Sequence, residues 1–315
     1  MATPSGTDQF VGRGFVEVAD RCWVARQKFL DVNVGVVAGE RGLLVVDTHA
    51  SEVEAGSVLE QVRRLGAGDV VAVVNTHEHF DHCFGNFAFF QAFAGLQLYA
   101  HESAARGLEV TGPALQAEAS ATAENPRTPL DREETTRRRH REIAATRIVV
   151  PERTFSSAKV VDLGDRVVEL VHPGRGHTAG DAVVHVPDAA VVFAGDLVQA
   201  STARSPSGHN AVPGFGADSY PLEWPATLDL LASLLTESSV VVPGHGPPVD
   251  RDFVAEQRAN LGMVAETIRH LAGQGVPVTE ALAATEWPYP VEELAFAVAR
   301  GYDQLPRSAK SLPLL

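Results

Sequence analysis

The residues most able to do chemistry are crowded into Asn75-Thr76-His77-Glu78-His79-Phe80-Asp81-His82, directly after the apolar run Val70 to Val74. Three imidazoles and the Asp81 carboxylate this close together repel if protonated and are costly to desolvate if buried, so something positive must offset the crowding. A bound metal is the simplest answer. Neutral imidazole nitrogen and carboxylate oxygen are the donors that zinc, manganese or ferrous iron prefer. The pattern H-x-H-x-D-H is too specific for a chance run of polar residues on a surface loop.

The elements around this stretch explain how it is presented. Val70 to Val74 reads as a buried strand, and the segment from Asp81 to Phe90 reads as the first turns of a helix. His77 and His79 then lie on the loop between them. Two residues apart in an extended loop, they point the same way and can grip one ion, while Asp81 and His82 project differently and can serve a second.

A two-ion site needs more donors, and three other strand ends offer them. His177 lies in the glycine-lined loop Gly174-Arg175-Gly176-His177-Thr178-Ala179-Gly180-Asp181. Asp196 ends the apolar strand Val191-Val192-Phe193-Ala194-Gly195, where an unpaired charge is expensive. His245 sits between glycines after Val240-Val241-Val242-Pro243. Each is weak alone; together with the first motif they point to one centre.

The rest of the chain reads as two strand-rich halves. Phe15 to Ala25, Asn33 to Val37 and Leu43 to Asp47 are expected strands, followed by a helix that Ser51 and Glu54 begin with a capping box. Leu96 to Ala100 is the next strand. Between residues 102 and 156 the chain changes character: Thr111-Gly112-Pro113 and Asn125 to Pro129 are breaks, and Asp131 to Arg141 is densely charged. That region is expected to be a solvated helical insertion, or a flap carrying Arg137, Arg138 or Arg139 to an anionic substrate group. Strands return at Val160 to Leu163, Val167 to Val171, Ala182 to Val186 and Ala190 to Ala194. Helices over Trp224 to Leu235 and Asp252 to Leu271 and two short ones after Thr279 complete the pattern, with Leu294, Phe296, Ala297 and Tyr302 expected to pack on the body.

With these motifs in order, the chain resembles the metallo-β-lactamase-fold hydrolase superfamily, on Thr76 to His82, Gly176-His177-Thr178, Gly195-Asp196 and Pro243-Gly244-His245-Gly246. The resemblance covers about residues 15 to 250. It implies an α/β fold, an αββα sandwich, with residues 1–315 as one domain that carries the 102–156 insertion and a helical extension over 250–315. It also implies two divalent metal ions, zinc first and manganese or iron as alternatives. One would lie on His77, His79 and His177, the other on Asp81, His82 and His245, with Asp196 bridging them and Asp47 supporting from behind. The implied chemistry is attack of a bridging hydroxide on an acyl carbonyl, with Asp81 or a water protonating the leaving group.

Within that family the bridging aspartate favours the thioesterase-like, lactonase-like and phosphodiesterase-like branches over true β-lactamases, which usually lack it. β-Lactam hydrolysis, phosphodiester cleavage and iron-dependent oxygen chemistry of the persulfide dioxygenase type are the alternatives. Glutathione thioesters gain no support from the tail, which offers only Arg300, Arg307 and Lys310. On the loop after Asp196, the resemblance to lactonase-like relatives implies Tyr220 as a tyrosine near the bridging water, with His209 as the alternative polar group facing substrate.

The resemblance implies a small-molecule acyl substrate as the partner, and composition argues against two other classes. Lys+Arg 26 against Asp+Glu 40 gives a net charge of −14, which repels nucleic acid and anionic membrane surfaces. The two cysteines, Cys22 and Cys83, are too few for a disulfide framework and are expected as buried thiols, Cys83 being near enough to the motif to be a minor candidate ligand. No signal peptide is apparent at Met1 to Gly6, so a cytoplasmic setting is the expectation.

Overall fold

Two facing sheets form the centre of the computed structural model, which describes residues 11–201 and 211–306. The first has seven strands in sequence order, β1 (Val16–Ala19), β2 (Cys22–Arg26), β3 (Asn33–Gly39), β4 (Gly42–Val46), β5 (Val70–Val74), β6 (Gln97–His101) and β7 (Arg153–Phe155). The second runs in the order β12-β11-β10-β9-β8, built from β8 (Ala158–Asp162), β9 (Val167–Val171), β10 (Val183–Val186), β11 (Val191–Gln199) and β12 (Val240–His245). From β4 to β7 neighbouring strands are parallel, as are β11 and β12, and the remaining pairs are antiparallel.

Strand alternation produces the layers. In β4 and β5, Leu44, Val46, Ala72 and Val74 turn inward and meet Leu170, Val184 and Phe193 of the second sheet. Leu43, Val45 and Val73 turn outward and are covered by α1 (Glu52–Leu65) and, beyond the short α2 (Phe80–Cys83), by α3 (Asn86–Ala92). Such two-sided burial is why these strands read as continuous apolar runs. α4 (Glu102–Glu124) and α5 (Glu134–Ala145) pack on each other, and the end of the 102–156 region, expected to be helical, instead returns to the first sheet as β7. On the far side, α6 (Trp224–Ala232), α7 (Arg251–Gly273), α8 (Val278–Ala281) and α9 (Ala295–Gln304) cover the second sheet through Leu228, Leu261, Val264 and Val298. The arrangement is the expected αββα sandwich. Among the described residues no helix is long and apolar enough to cross a membrane.

Three local expectations change. The run Phe15 to Ala25 is a hairpin, not one strand: Asp20 and Arg21 make the turn, with Arg21 at φ +52°. The helix expected from Asp81 onward is divided at Gly85, whose N–H donates to the His49 carbonyl and where any side chain would strike the Thr48 carbonyl oxygen. Thr111-Gly112-Pro113 does not break the chain; α4 runs through Pro113 because Gly112 lets the helix pack closely on Ile148, and that packing outweighs the one lost backbone bond. The Ser51 cap is as expected, its hydroxyl accepting from the Glu54 N–H at 3.2 Å.

One side chain ties the first sheet to the loop that ends β12. Asn33, at the start of β3 and 3% exposed, donates from Nδ2 to the Pro243 carbonyl at 2.8 Å and the Gly246 carbonyl at 2.7 Å. Removing it leaves two buried acceptors without a donor, at a cost of about 2 kcal/mol. Asn33→Ala is therefore expected to lower the urea midpoint with an unchanged m-value; an unchanged midpoint would contradict this role.

Candidate metal centre

Every strand end named above opens on one edge of the sandwich. β5 delivers His77 and His79, α2 carries Asp81 and His82, the β9–β10 loop carries His177, and β11 and β12 bring Asp196 and His245. Donor atoms of His77, His79 and His177 lie within 4.8 Å of one another, as do those of His77, His82 and Asp196 and those of Asp81, His82 and His245. Asp196 reaches across both sets, 3.3 Å from His82 Nε2, 3.5 Å from His177 Nε2 and 3.3 Å from His245 Nε2. Gly244 makes room for it, since a Cβ there would collide with Asp196 Oδ1.

The outer nitrogen of each ring is already engaged. His82 Nδ1 pairs with Asp47 Oδ2 at 2.8 Å, His177 Nδ1 donates to the Gly214 carbonyl at 2.7 Å and His245 Nδ1 donates to the Leu30 carbonyl at 2.8 Å. His77 Nδ1 lies 3.0 Å from Thr76 Oγ1, whose hydroxyl donates to Asp47 Oδ2 at 2.8 Å. His79 is turned the other way, Nε2 meeting Asp218 Oδ2 at 2.9 Å. These contacts fix the tautomers, so that the inner nitrogens all present lone pairs to the same space. Asp47 holds a strained backbone to do this, φ +63°, and also accepts the Thr76 N–H at 2.8 Å. Asp181 shapes the His177 loop by accepting from the N–H groups of Gly176 at 3.0 Å and Thr178 at 2.9 Å.

Crowded lone pairs need a positive charge between them. His79 Nδ1 and His177 Nε2 are 2.8 Å apart, and His82 Nε2 and His245 Nε2 are 3.2 Å apart. Without metal, protons fill that role. Burial opposes charge on His79, but Asp218 outweighs it and raises the imidazole to about 9. Burial also opposes charge on His82, and Asp196, Asp47 and Asp81 together raise it well above its ordinary value. Burial keeps His177 at about 4 and, aided by His82 and His79, holds His77 well below the usual range. Asp196, despite its burial, is held well below the ordinary carboxylate range by His245 and His82. Even so His77 Nε2 is left buried with no hydrogen-bond partner. An orphaned imidazole nitrogen, two close nitrogen pairs whose protons a cation can replace, and a shared carboxylate fit bound divalent metal.

Beside the donors lies a cavity of about 450 Å³, whose lining includes His79, Asp81, His177 and Asp196. Tyr220 does not reach it. Its N–H donates to the Gly176 carbonyl and its ring is covered by the Arg175 guanidinium, 4.3 Å from the centroid, with Arg300 at 5.6 Å. His209 lies outside the described residues. Cys83 is turned away from the donors, its thiol donating to the carbonyls of Glu78 at 3.2 Å and His79 at 3.1 Å, where burial keeps it protonated. The three arginines of α5 are engaged elsewhere: Arg137 with the Ala123 carbonyl, Arg138 with Glu142, and Arg139 on the face of Phe29. None of the three lines the cavity.

Two participants were not legible in advance. Asp218, on the connection between β11 and α6, gives no sequence signal for its contact with His79. Phe296 was expected to pack on the body with Leu294, Ala297 and Tyr302; those three are buried, whereas Phe296 is 55% exposed and lines the cavity.

The profile of the metallo-beta-lactamase superfamily matches residues 28–245. The chain belongs to this superfamily. Within it, the chain is 29% identical over 100 residues to a metallo-beta-lactamase type 2 of Bacillus cereus, an alignment covering 32% of this chain and 36% of that one. It is 26% identical over 262 residues to the linear primary-alkylsulfatase of Pseudomonas sp. (strain ATCC 19151), covering 76% of this chain and 46% of that one. The chain thus spans less than half the length of either relative. Among solved structures, the sec-alkylsulfatase Pisa1 from Pseudomonas sp. superposes with a TM-score of 0.69 at 16% identity, over 92% of this chain and 50% of that one. A metallo-beta-lactamase from Pontibacter korlensis gives 0.54 at 21% identity, over 79% and 98%. Both structures share this superfamily fold.

Two measurements test the metal centre. His79 and His82 are protonated near neutrality in the metal-free protein and must lose those protons to become ligands. Loading is therefore expected to release protons, fewer as the pH rises through the His79 value of about 9, read by calorimetry in buffers of different ionisation enthalpy; no release would contradict the assignment. Asp218→Ala is expected to weaken metal binding about 10- to 100-fold in chelator competition, because His79 loses the partner that fixes its orientation.

Proposed function

We propose that this chain is a dinuclear metal-dependent hydrolase of uncharged acyl compounds: lactones, thioesters and related esters or amides. The observation that carries the reading is the position of Asp196, within 3.5 Å of nitrogens from both halves of the donor set. His77, His79 and His177 would hold one cation and Asp81, His82 and His245 the other, with Asp196 shared; zinc is the first choice for a nitrogen-rich set of this kind. Such ions supply Lewis acidity and an acidified water.

The chain's own residues do the rest. Asp47, Asp218 and the carbonyls of Gly214 and Leu30 keep the rings oriented through turnover. The cavity admits the acyl group from the side of His79 and Asp81. Water contributes its oxygen to the carbonyl carbon as the bond to the leaving oxygen, sulfur or nitrogen breaks, and the proton passes to that leaving atom. Asp81, whose Oδ2 lies 3.4 Å from His245 Nε2 and which lines the cavity, is the group placed to relay it.

Sulfate-ester cleavage is the second reading, favoured by the 26% identity to the linear primary-alkylsulfatase over 262 residues. A panel of lactones, thioesters, β-lactams, alkyl sulfates and phosphodiesters, run with metal-reconstituted protein, ranks the two. Preferred turnover of lactones or thioesters is expected. His79→Ala and Asp196→Ala should each abolish turnover while leaving the circular dichroism spectrum unchanged; activity retained in either variant refutes the proposal, and stoichiometric iron with oxygen consumption replaces it by an oxygenase.

A further inference from the structure

The cavity beside the metal donors has an apolar wall that their chemistry does not require. Val212 and Phe215, buried at 9% and 8% exposure, line it together with Phe296, which stays 55% exposed. Phe215 is locked in place by an edge contact with Trp224, centroids 5.5 Å apart, and Trp224 in turn lies 5.8 Å from His177 and donates from Nε1 to the Leu197 carbonyl. Phe296 is equally well held at its backbone. Ala297, Val298, Gly301 and Tyr302 of α9 are buried, and the Tyr302 hydroxyl donates to the Val276 carbonyl at 3.0 Å. The same helix grips the loop that bears Asp218: Arg300 Nε and Gln304 Nε2 both donate to the Ser219 carbonyl, at 3.2 and 2.9 Å.

A large aromatic left exposed on an otherwise anchored helix, at the mouth of a cavity that ends in catalytic donors, is placed for a ligand. We propose that Phe296, with Phe215 and Val212, forms a subsite for an uncharged apolar chain on the substrate. α9 is thereby part of the substrate-binding machinery and sets chain-length preference. This rests on the hydrolase reading for its activity measurement, but not for its binding measurement. Each methylene that leaves water on such a wall is worth about three- to fourfold in affinity.

The intact, metal-loaded chain is assayed on esters of one alcohol with acyl groups from acetyl to octanoyl. The expected result is a kcat/KM that rises with chain length, and an octanoyl-to-acetyl ratio that falls about tenfold in Phe296→Ala and is largely kept in Phe296→Leu. A second readout needs no turnover: in Phe296→Trp, 2-decanone should shift the new indole emission to the blue while acetone leaves it in place. Emission that responds to 2-decanone in a protein that turns over no lactone, thioester or ester supports the subsite and removes the acyl reading. A flat chain-length profile, an unchanged ratio in Phe296→Ala, or an emission indifferent to 2-decanone overturns the proposal.

Discussion

Imidazole nitrogens held closer than uncharged lone pairs tolerate are the constraint on which the rest of this structure depends. His79 faces His177 at 2.8 Å and His82 faces His245 at 3.2 Å, each ring prevented from turning away by a partner on its outer nitrogen. Such proximity persists only if positive charge sits between the rings. The outer partners are themselves fixed by the fold: Asp47 directly follows β4, the Leu30 carbonyl lies on the β2–β3 connection, and the Gly214 carbonyl lies on the loop that α9 holds through Ser219. The site is therefore a property of the sandwich edge as a whole and not of the H-x-H-x-D-H segment alone.

That dependence explains why backbone is so closely fitted there. The β12 end approaches Asp196 through a glycine, Asn33 of the first sheet bonds to carbonyls on either side of His245, and Asp47 accepts a left-handed backbone to serve both Thr76 and His82. Donors from distant parts of the chain keep their positions because the strands, the short α2 and the loop that carry them are anchored to the apolar layers of the sandwich.

Much of this was legible in the sequence because period-two and all-apolar strand patterns are strong, and because His77, His79, Asp81, His82, His177, Asp196 and His245 fall at strand ends where charge is costly unless used. What escaped depends on tertiary contact. The hairpin at Asp20-Arg21 has no glycine or asparagine to announce it, and Pro113 continues α4 because of packing on Ile148 that no local propensity encodes. Tyr220 and Phe296 have the same kind of ambiguity: an aromatic on a loop or helix end carries no information about which way it faces. Here the tyrosine is held between arginines and the phenylalanine turns to the cavity.

The most direct test of the account is a crystal structure of the zinc-loaded protein with anomalous scattering collected at the zinc edge. Two peaks about 3.5–4 Å apart, one among His77, His79 and His177 and one among Asp81, His82 and His245, with Asp196 between them, are the predicted result. A single peak, or density away from these residues, would contradict it.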